Sequence, residues 1–127
     1  MPFDPAPLLA FQDQLTTVGE LRSAVREFVD AREWQKFHTA KHLAMSIAIE
    51  AAEIMEHFQW TDAAESMERM AADEAERAEV ADELADVLIY CLSLANSLGI
   101  DASAAVGKKL VRNESRFPVP VVQGRLG

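Results

Sequence analysis

The 127-residue sequence contains few of the residues that break or cross-link a chain. It has one cysteine, five glycines and five prolines. The single cysteine, Cys91, excludes an internal disulfide framework, and its place among apolar residues predicts a buried free thiol. The scarcity of glycine and proline, together with the lack of an alternating strand pattern, favours long helices.

Segments typical of membranes and secretion are also lacking. No apolar run reaches the roughly 18 residues that a membrane span needs. No basic segment followed by an apolar one marks a signal peptide. We therefore expect a cytoplasmic protein without a membrane partner.

Positive charge is scarce and unevenly placed. The formal net charge is −9, which argues against a nucleic-acid partner because phosphate backbones demand a basic surface. No lysine or arginine occurs between His42 and Glu68, or between Ala78 and Gly107. These two spans contain the stretches Glu50-Ala51-Ala52-Glu53 and Glu83-Leu84-Ala85-Asp86.

Apolar residues recur at helical spacing along most of the chain. The pattern predicts an all-α, four-helix-bundle-like fold with one short extra helix. We expect an irregular lead-in at residues 1–16, a helical domain at 17–118 and a flexible tail at 119–127. Long helices are predicted at about 18–34, 41–58, 74–98 and 102–116, with a short helix ending near residue 70.

The acids of each carboxylate pair are three residues apart, so both lie on one side of a helix. Taken singly, a helical glutamate is usually a solvated surface residue. If the apolar stripes of the two helices pack together, however, four carboxylates approach one another with no cation nearby on either helix. A hard divalent cation would relieve their repulsion, as would arginine or lysine from another helix. We predict that Glu50, Glu53, Glu83 and Asp86 bind Mg²⁺, with Mn²⁺ as the alternative ion.

The last predicted helix places Lys109, Asn113 and Arg116 on one face. A metal ion flanked by cations suits a triphosphate, because the metal binds some oxygens and the cations bind the rest. Considered without the carboxylates, these residues are more simply explained as a solvated basic face near a helix C-terminus.

The combination of motifs resembles the MazG-like all-α nucleoside triphosphate pyrophosphohydrolases, most closely their dCTP pyrophosphatase branch. The similarity extends over roughly residues 18–118. Its motifs are Arg32-Glu33-Trp34-Gln35-Lys36-Phe37-His38, the segments 50–60 and 82–90, and Lys109-x-x-x-Asn113-x-x-Arg116-Phe117-Pro118.

This resemblance implies Mg²⁺-dependent cleavage between the α and β phosphates of a nucleoside triphosphate, giving the monophosphate and pyrophosphate. A dCTP-like or modified deoxynucleotide is the favoured substrate, and the resemblance implies a homodimer or homotetramer with pockets completed across subunits. Glu53 is our choice for the catalytic carboxylate that orients or deprotonates water. The implied phosphate and sugar ligands are Lys109, Asn113 and Arg116, and the implied nucleoside pocket is Trp34, His38, Trp60 and Tyr90.

Two positions depart from the pattern of that branch, namely Lys41-His42 and Glu114-Ser115. They affect the expected base and phosphate preference, not the reaction class. Two other classes of protein fit the sequence less well. A di-iron carboxylate protein requires Glu-x-x-His pairs, which this sequence lacks. A non-catalytic helical oligomerisation module would leave the inward carboxylates without a purpose.

Overall fold

Each of the five long helices begins at a side chain that caps its first turn. The cap accepts a hydrogen bond from a backbone N–H that the helix leaves unpaired. The capping residues are Thr17, Thr39, Asp62, Asp73 and Asp101. At the first helix, Thr17 and Glu20 form a capping box. Short sequence signals therefore fix where the helices start.

The computed structural model describes residues 2–125. A short 3₁₀ helix at Ala6–Ala10 is followed by α1 (Val18–Ala31), α2 (Ala40–Glu56), α3 (Ala63–Ala72), α4 (Glu74–Leu98), α5 (Ala102–Arg116) and α6 (Val119–Val122). No strand occurs among the described residues, and the predicted all-α class is confirmed. Part of the predicted flexible tail forms α6, while its residues 126 and 127 lie outside the described residues.

The first helix ends at Ala31, before the predicted boundary near Trp34, because the backbone turns at Glu33. Glu33 has φ 52°, in the left-handed region. The Trp34 N–H donates to the Val29 carbonyl at 3.1 Å, and the Glu33 N–H donates to the Asp30 carbonyl at 3.0 Å. These bonds close the helix C-terminus in the manner usually seen with glycine. The connection to α2 then contacts α4 through His38, whose ring bonds to Ser93 and whose carbonyl accepts from Ser97. The second helix also ends two residues early, at Glu56.

The principal packing contact joins α2 to α4, while α1 and α3 pack against α4 less extensively. Leu43 is the most deeply buried large side chain, with 2 % of its surface exposed. Asn96 fastens α1 to α4, because its Oδ1 accepts from Arg22 Nε at 3.0 Å and from Arg26 Nη2 at 3.2 Å. The α2–α4 pair is thus the frame on which the rest of the chain is arranged.

Large apolar areas remain uncovered within the single chain. Met45, Ile49 and Met55 on α2 are each more than half exposed. Cys91, predicted to be buried, is exposed. The fifth helix makes no extensive contact with any other helix of residues 2–125.

No single helix within residues 2–125 is long and apolar enough to cross a membrane. By length and composition alone, α4 and α5 meet that criterion only together, and they are bent by 102° relative to each other.

Candidate functional site: a carboxylate cluster between two helices

Antiparallel packing of α2 against α4 brings the two acidic motifs together. One carboxylate oxygen from each of Glu50, Glu83 and Asp86 lies within 4.8 Å of the others. Glu53 lies one turn along α2 from Glu50, near enough to Glu83 to raise the pKa of that residue. We call these four residues the carboxylate cluster. All four predicted metal ligands therefore occupy one place in the fold.

The proximity of the carboxylates changes their protonation. A hydrogen bond with Glu53, then burial, then the negative charges of Glu53 and Glu50 raise the pKa of Glu83 from 4.5 to about 7. Burial, followed by the charge of Glu53, raises the pKa of Glu50. Without a metal ion, the cluster therefore retains a proton at pH values where an ordinary glutamate is fully ionised.

Two oxygens of the cluster have unmet bonding capacity. Oε2 of Glu50 and Oε2 of Glu83 are shielded from solvent and have no hydrogen-bond partner within residues 2–125. None of the ion pairs formed in that part of the chain involves the cluster. The alternative of pairing with arginine or lysine from another helix is therefore not realised inside the described chain. A donor set made only of carboxylate oxygens fits Mg²⁺ or Mn²⁺.

A row of aromatic rings lies along α4 on the C-terminal side of the cluster. The rings of Trp34 and His38 are stacked with centroids 6.4 Å apart, and those of His38 and Tyr90 are 6.3 Å apart. His38 Nδ1 hydrogen-bonds to the buried Ser93 Oγ at 2.9 Å. Tyr90 follows Asp86 by one turn of α4. The structure thus brings three of the four predicted nucleoside-pocket residues together, adjacent to the carboxylates.

Trp60, the fourth predicted pocket residue, lies at the other end of the helix pair. Its side chain is 85 % exposed, in the loop after α2. That loop is level with Glu76, because the His57 ring lies 3.6 Å from Glu76 Oε1. Seventeen residues of α4 separate Glu76 from Ser93, which is about 25 Å at a rise of about 1.5 Å per residue. A single nucleoside therefore cannot touch Trp60 and His38 of the same chain.

The predicted phosphate ligands are also not brought to the cluster within one chain. Lys109, Asn113 and Arg116 lie on α5, which leaves α4 at an angle of 102°. The helix does not return along the bundle, because nothing in residues 2–125 packs extensively against it. The cluster and the cationic face are thus separate surfaces of the single chain.

A second polar group, which the sequence pattern did not predict, lies near the cluster. Arg69 of α3 donates through Nη2 to the His57 carbonyl at 2.5 Å and to Glu76 Oε1 at 2.7 Å. We call His57, Arg69 and Glu76 the Arg69 clamp. The available signal was that Arg69 is the first cation after a long span without lysine or arginine, but its partners lie on two other helices.

Comparisons with known proteins agree with this architecture. A family model of the MazG-like family matches residues 45–124. A solved pyrophosphatase structure from Archaeoglobus fulgidus superposes with a TM-score of 0.74 at 42 % sequence identity, covering 85 % of this chain and 98 % of that one.

Curated relatives give a consistent result. The chain is 36 % identical over 108 residues to dCTP pyrophosphatase 1 of Rattus norvegicus, covering 85 % of this chain and 63 % of that protein. It is 35 % identical over 103 residues to dCTP pyrophosphatase 1 of Homo sapiens, covering 80 % and 59 % respectively. The chain therefore spans less than two thirds of the length of these relatives.

The fold and the site define an all-helical protein with a carboxylate cluster between paired helices. Since the family model covers more than half of the sequence, the chain belongs to the MazG-like family. The resemblance inferred from the sequence motifs is confirmed.

Proposed function

We propose that the protein is a divalent-metal-dependent nucleoside triphosphate pyrophosphohydrolase that releases the monophosphate and pyrophosphate. The observation that carries the proposal is the carboxylate cluster itself. Its shielded oxygens have no partner and no cation within the described chain. The names of the relatives, dCTP pyrophosphatase 1 and a pyrophosphatase, support the same reaction class.

Mg²⁺, or Mn²⁺ in its place, would be held by Glu50, Glu83 and Asp86. When bound, the ion supplies charge neutralisation for the phosphate oxygens. Glu53 contacts Glu83 at the edge of the cluster and is the proposed base. It orients a water molecule and accepts its proton as the water oxygen attacks the α-phosphorus. The bond between the α-phosphorus and the bridging oxygen breaks, and its electron pair leaves with pyrophosphate.

The aromatic row of Trp34, His38 and Tyr90 is the proposed nucleoside pocket. Planar rings beside a phosphate-binding centre suit a base, because every base can stack on an aromatic face. The names of the curated relatives support dCTP or a modified deoxynucleotide as the preferred substrate. The cytoplasmic location belongs to the same proposal, since a nucleoside triphosphate substrate is found there.

The active assembly is proposed to be a homodimer or homotetramer in which copies complete each other's sites. Three features support this. The fifth helix has no extensive packing partner within residues 2–125, the outer face of α2 is apolar and exposed, and Trp60 lies at the opposite end of the α2–α4 pair from the aromatic row of its own chain. In the assembly, Trp60 and the α5 residues Lys109, Asn113 and Arg116 would serve a neighbouring copy.

A panel assay tests the reaction. Pyrophosphate release is measured from canonical and modified dNTPs and NTPs, with and without Mg²⁺. The proposal predicts Mg²⁺-dependent release from at least one deoxynucleotide, with the monophosphate as the second product. Release of inorganic phosphate instead, or activity that is unchanged by a chelator, would refute it.

A mixing experiment tests completion across copies. Glu50→Gln lacks a metal ligand and Lys109→Met lacks a phosphate ligand, so at substrate concentrations well below KM each protein alone should be inactive or weak. If the two ligands belong to different copies in one site, mixed dimers regain one intact site in two, or roughly a quarter of wild-type activity in a random mixture. No recovery after verified subunit exchange would place both residues in the site of one copy.

The exposed apolar face of α2 also favours a second candidate, a non-catalytic helical oligomerisation module. That module needs no ligand at the carboxylate cluster. Its melting temperature should be indifferent to Mg²⁺ and to every nucleotide, whereas the enzyme is stabilised by both.

A further inference from the structure

Arg69 connects three helices at one end of the bundle. It lies in the last turn of α3, and its guanidinium reaches the carbonyl of His57, the C-cap of α2, and the carboxylate of Glu76 in the first turn of α4. Terminal carbonyls of a helix lack partners within the helix and attract cations. One side chain thus binds the end of α2 to the beginning of α4.

This connection lies close to the proposed metal ligands. Glu53 is one turn before His57, and Glu83 is two turns after Glu76, which correspond to about 6 Å and about 10 Å along the helix axes. The spacing between α2 and α4 at the Arg69 clamp therefore influences the spacing across the carboxylate cluster. The cluster has at least one proposed metal ligand on each of these helices, Glu50 on α2 and Glu83 on α4.

Electrostatic repulsion acts in the opposite direction at the cluster. Carboxylates within 4.8 Å of each other, with no cation among residues 2–125 to separate them, push α2 and α4 apart. The Arg69 clamp, an ion pair combined with a helix-end hydrogen bond, holds the same two helices together. Both bonds are donated by Nη2 at the tip of the arginine side chain. Lysine is one atom shorter, so it keeps the charge but reaches the two acceptors less well.

We infer that Arg69 is a positioning residue that holds the carboxylate cluster in its metal-binding geometry. The inference rests on the proposed function, since it assumes that the cluster binds a divalent ion. Arg69 does not touch the ion or the substrate. It acts through His57 and Glu76, and its loss lets the cluster widen before an ion is bound.

Mn²⁺ binding to nucleotide-free protein, measured by electron paramagnetic resonance and calorimetry, tests the inference. Arg69→Met should weaken Mn²⁺ binding about tenfold, the size typical of lost outer-shell support. Its kcat at saturating Mn²⁺ should stay within about twofold of wild type. Arg69→Lys should lie between wild type and Arg69→Met. If Arg69→Met does not fold, Arg69→Gln, which removes the charge but keeps a polar side chain, decides: weakened Mn²⁺ binding supports the inference and unchanged binding overturns it.

Arg77 provides a matched control. It also joins α3 to α4, donating to the Met70 carbonyl at 3.0 Å and lying 3.9 Å from Glu74, but it has no bond to α2. Arg77→Met should therefore bind Mn²⁺ like wild type. Equal losses of Mn²⁺ affinity in Arg77→Met and Arg69→Met would overturn the inference, because the contact between α3 and α4 alone would then explain both losses.

A destabilised variant separates positioning from general loosening. Val29 is buried on α1, away from the clamp, and Val29→Ala should lower the melting temperature without changing the affinity for Mn²⁺. A similar loss of affinity in this variant would overturn the inference.

The wild-type protein distinguishes the two levels of the proposal. If it does not bind Mn²⁺, the proposed metal site and the role of Arg69 both fail. If it binds Mn²⁺ and Arg69→Met binds equally well, only the role of Arg69 fails.

Discussion

Two polar groups lie one to two helical turns apart on the same pair of helices, and their charges are balanced in opposite ways. In the Arg69 clamp, the Glu76 carboxylate contacts a guanidinium at 2.7 Å. In the carboxylate cluster, oxygens of Glu50 and Glu83 are shielded but have no partner within residues 2–125. The clamp pairs its opposite charges within the described chain, although Nε of Arg69 is shielded without a partner, whereas the cluster needs a cation from outside. This difference identifies the first group as a structural connection and the second as a binding site.

The largest expected effect comes from removing a metal ligand. Glu50→Gln and Asp86→Asn should each lower kcat/KM at least about a thousandfold, or about 4 kcal/mol at about 1.4 kcal/mol per tenfold change. The physical reason is that a neutral amide cannot offset the charge of the ion. Measured pyrophosphate release provides the readout.

Glu56→Gln is the control for these variants, because Glu56 is on α2 as well but is exposed and outside the cluster. It should retain wild-type activity. Full activity in Glu50→Gln or Asp86→Asn would show that the carboxylate cluster is not the metal site, and the two polar groups would then no longer differ in role.

Mg²⁺ should stabilise the folded chain, because it binds the assembled cluster and not the unfolded chain. At a concentration of about 100 times Kd, the gain is about 2.7 kcal/mol. For a domain of this size the melting temperature then rises by about 10 °C. Calorimetry of wild type and Glu50→Gln measures this, and a shift of equal size in both proteins would argue for binding elsewhere.

Part of the positive charge that binds the triphosphate should come from α5. Lys109→Met should raise KM for the triphosphate roughly tenfold, or about 1.4 kcal/mol, through loss of a charge-assisted contact. Its affinity for Mn²⁺ in the absence of nucleotide should be unchanged. Lys108→Met is the matched control, because the adjacent residue points about 100° away around the helix. Similar KM values for both variants would show that the specific face of α5 does not matter.

A smaller effect concerns pH. The pKa of Glu83 is about 7 in the folded protein against 4.5 normally, so the folded state binds the additional proton. The sign follows from linkage: this contribution to stability is present below about pH 4.5 and is lost as pH rises towards about 7. Melting of metal-free Glu83→Gln across pH 5–8 checks this. The melting temperature of Glu83→Gln should rise relative to that of wild type as pH rises. A difference in melting temperature that stays constant across this range would contradict the shifted pKa.

Local features of the fold were predictable from the sequence, and long-range ones were not. Asp73, Gly99 and Asp101 mark helix ends through contacts with residues a few positions away, so α4 and α5 were predicted with correct bounds. The spacing of Glu83 and Asp86 is equally local, because helical periodicity alone puts both on one side. The meeting of the two acidic motifs then required only that the apolar stripes pack together.

The predictions that the structure changed depend on the path of the chain in space. The bend after Gly99 carries α5 away from the cluster, and no local signal specifies an angle of 102°. His38 precedes α2 and Trp60 follows it, so the 17 residues of that helix hold the two side chains at opposite ends. Arg69 finds its partners at the end of α2 and on α4, and Cys91 is exposed although its apolar neighbours in the sequence predicted burial.

The unsupported position of α5 has a consequence for enzyme kinetics. A single helix of 15 residues is marginal in water when nothing packs against it. If its partner is a second copy, α5 becomes ordered only as copies associate, so dilution below the dissociation constant removes the phosphate ligands together with the partner. Specific activity should then decrease as the protein is diluted. A saturating triphosphate should restore it by drawing copies together. Turnover in such a protein is governed by mass action between its own subunits.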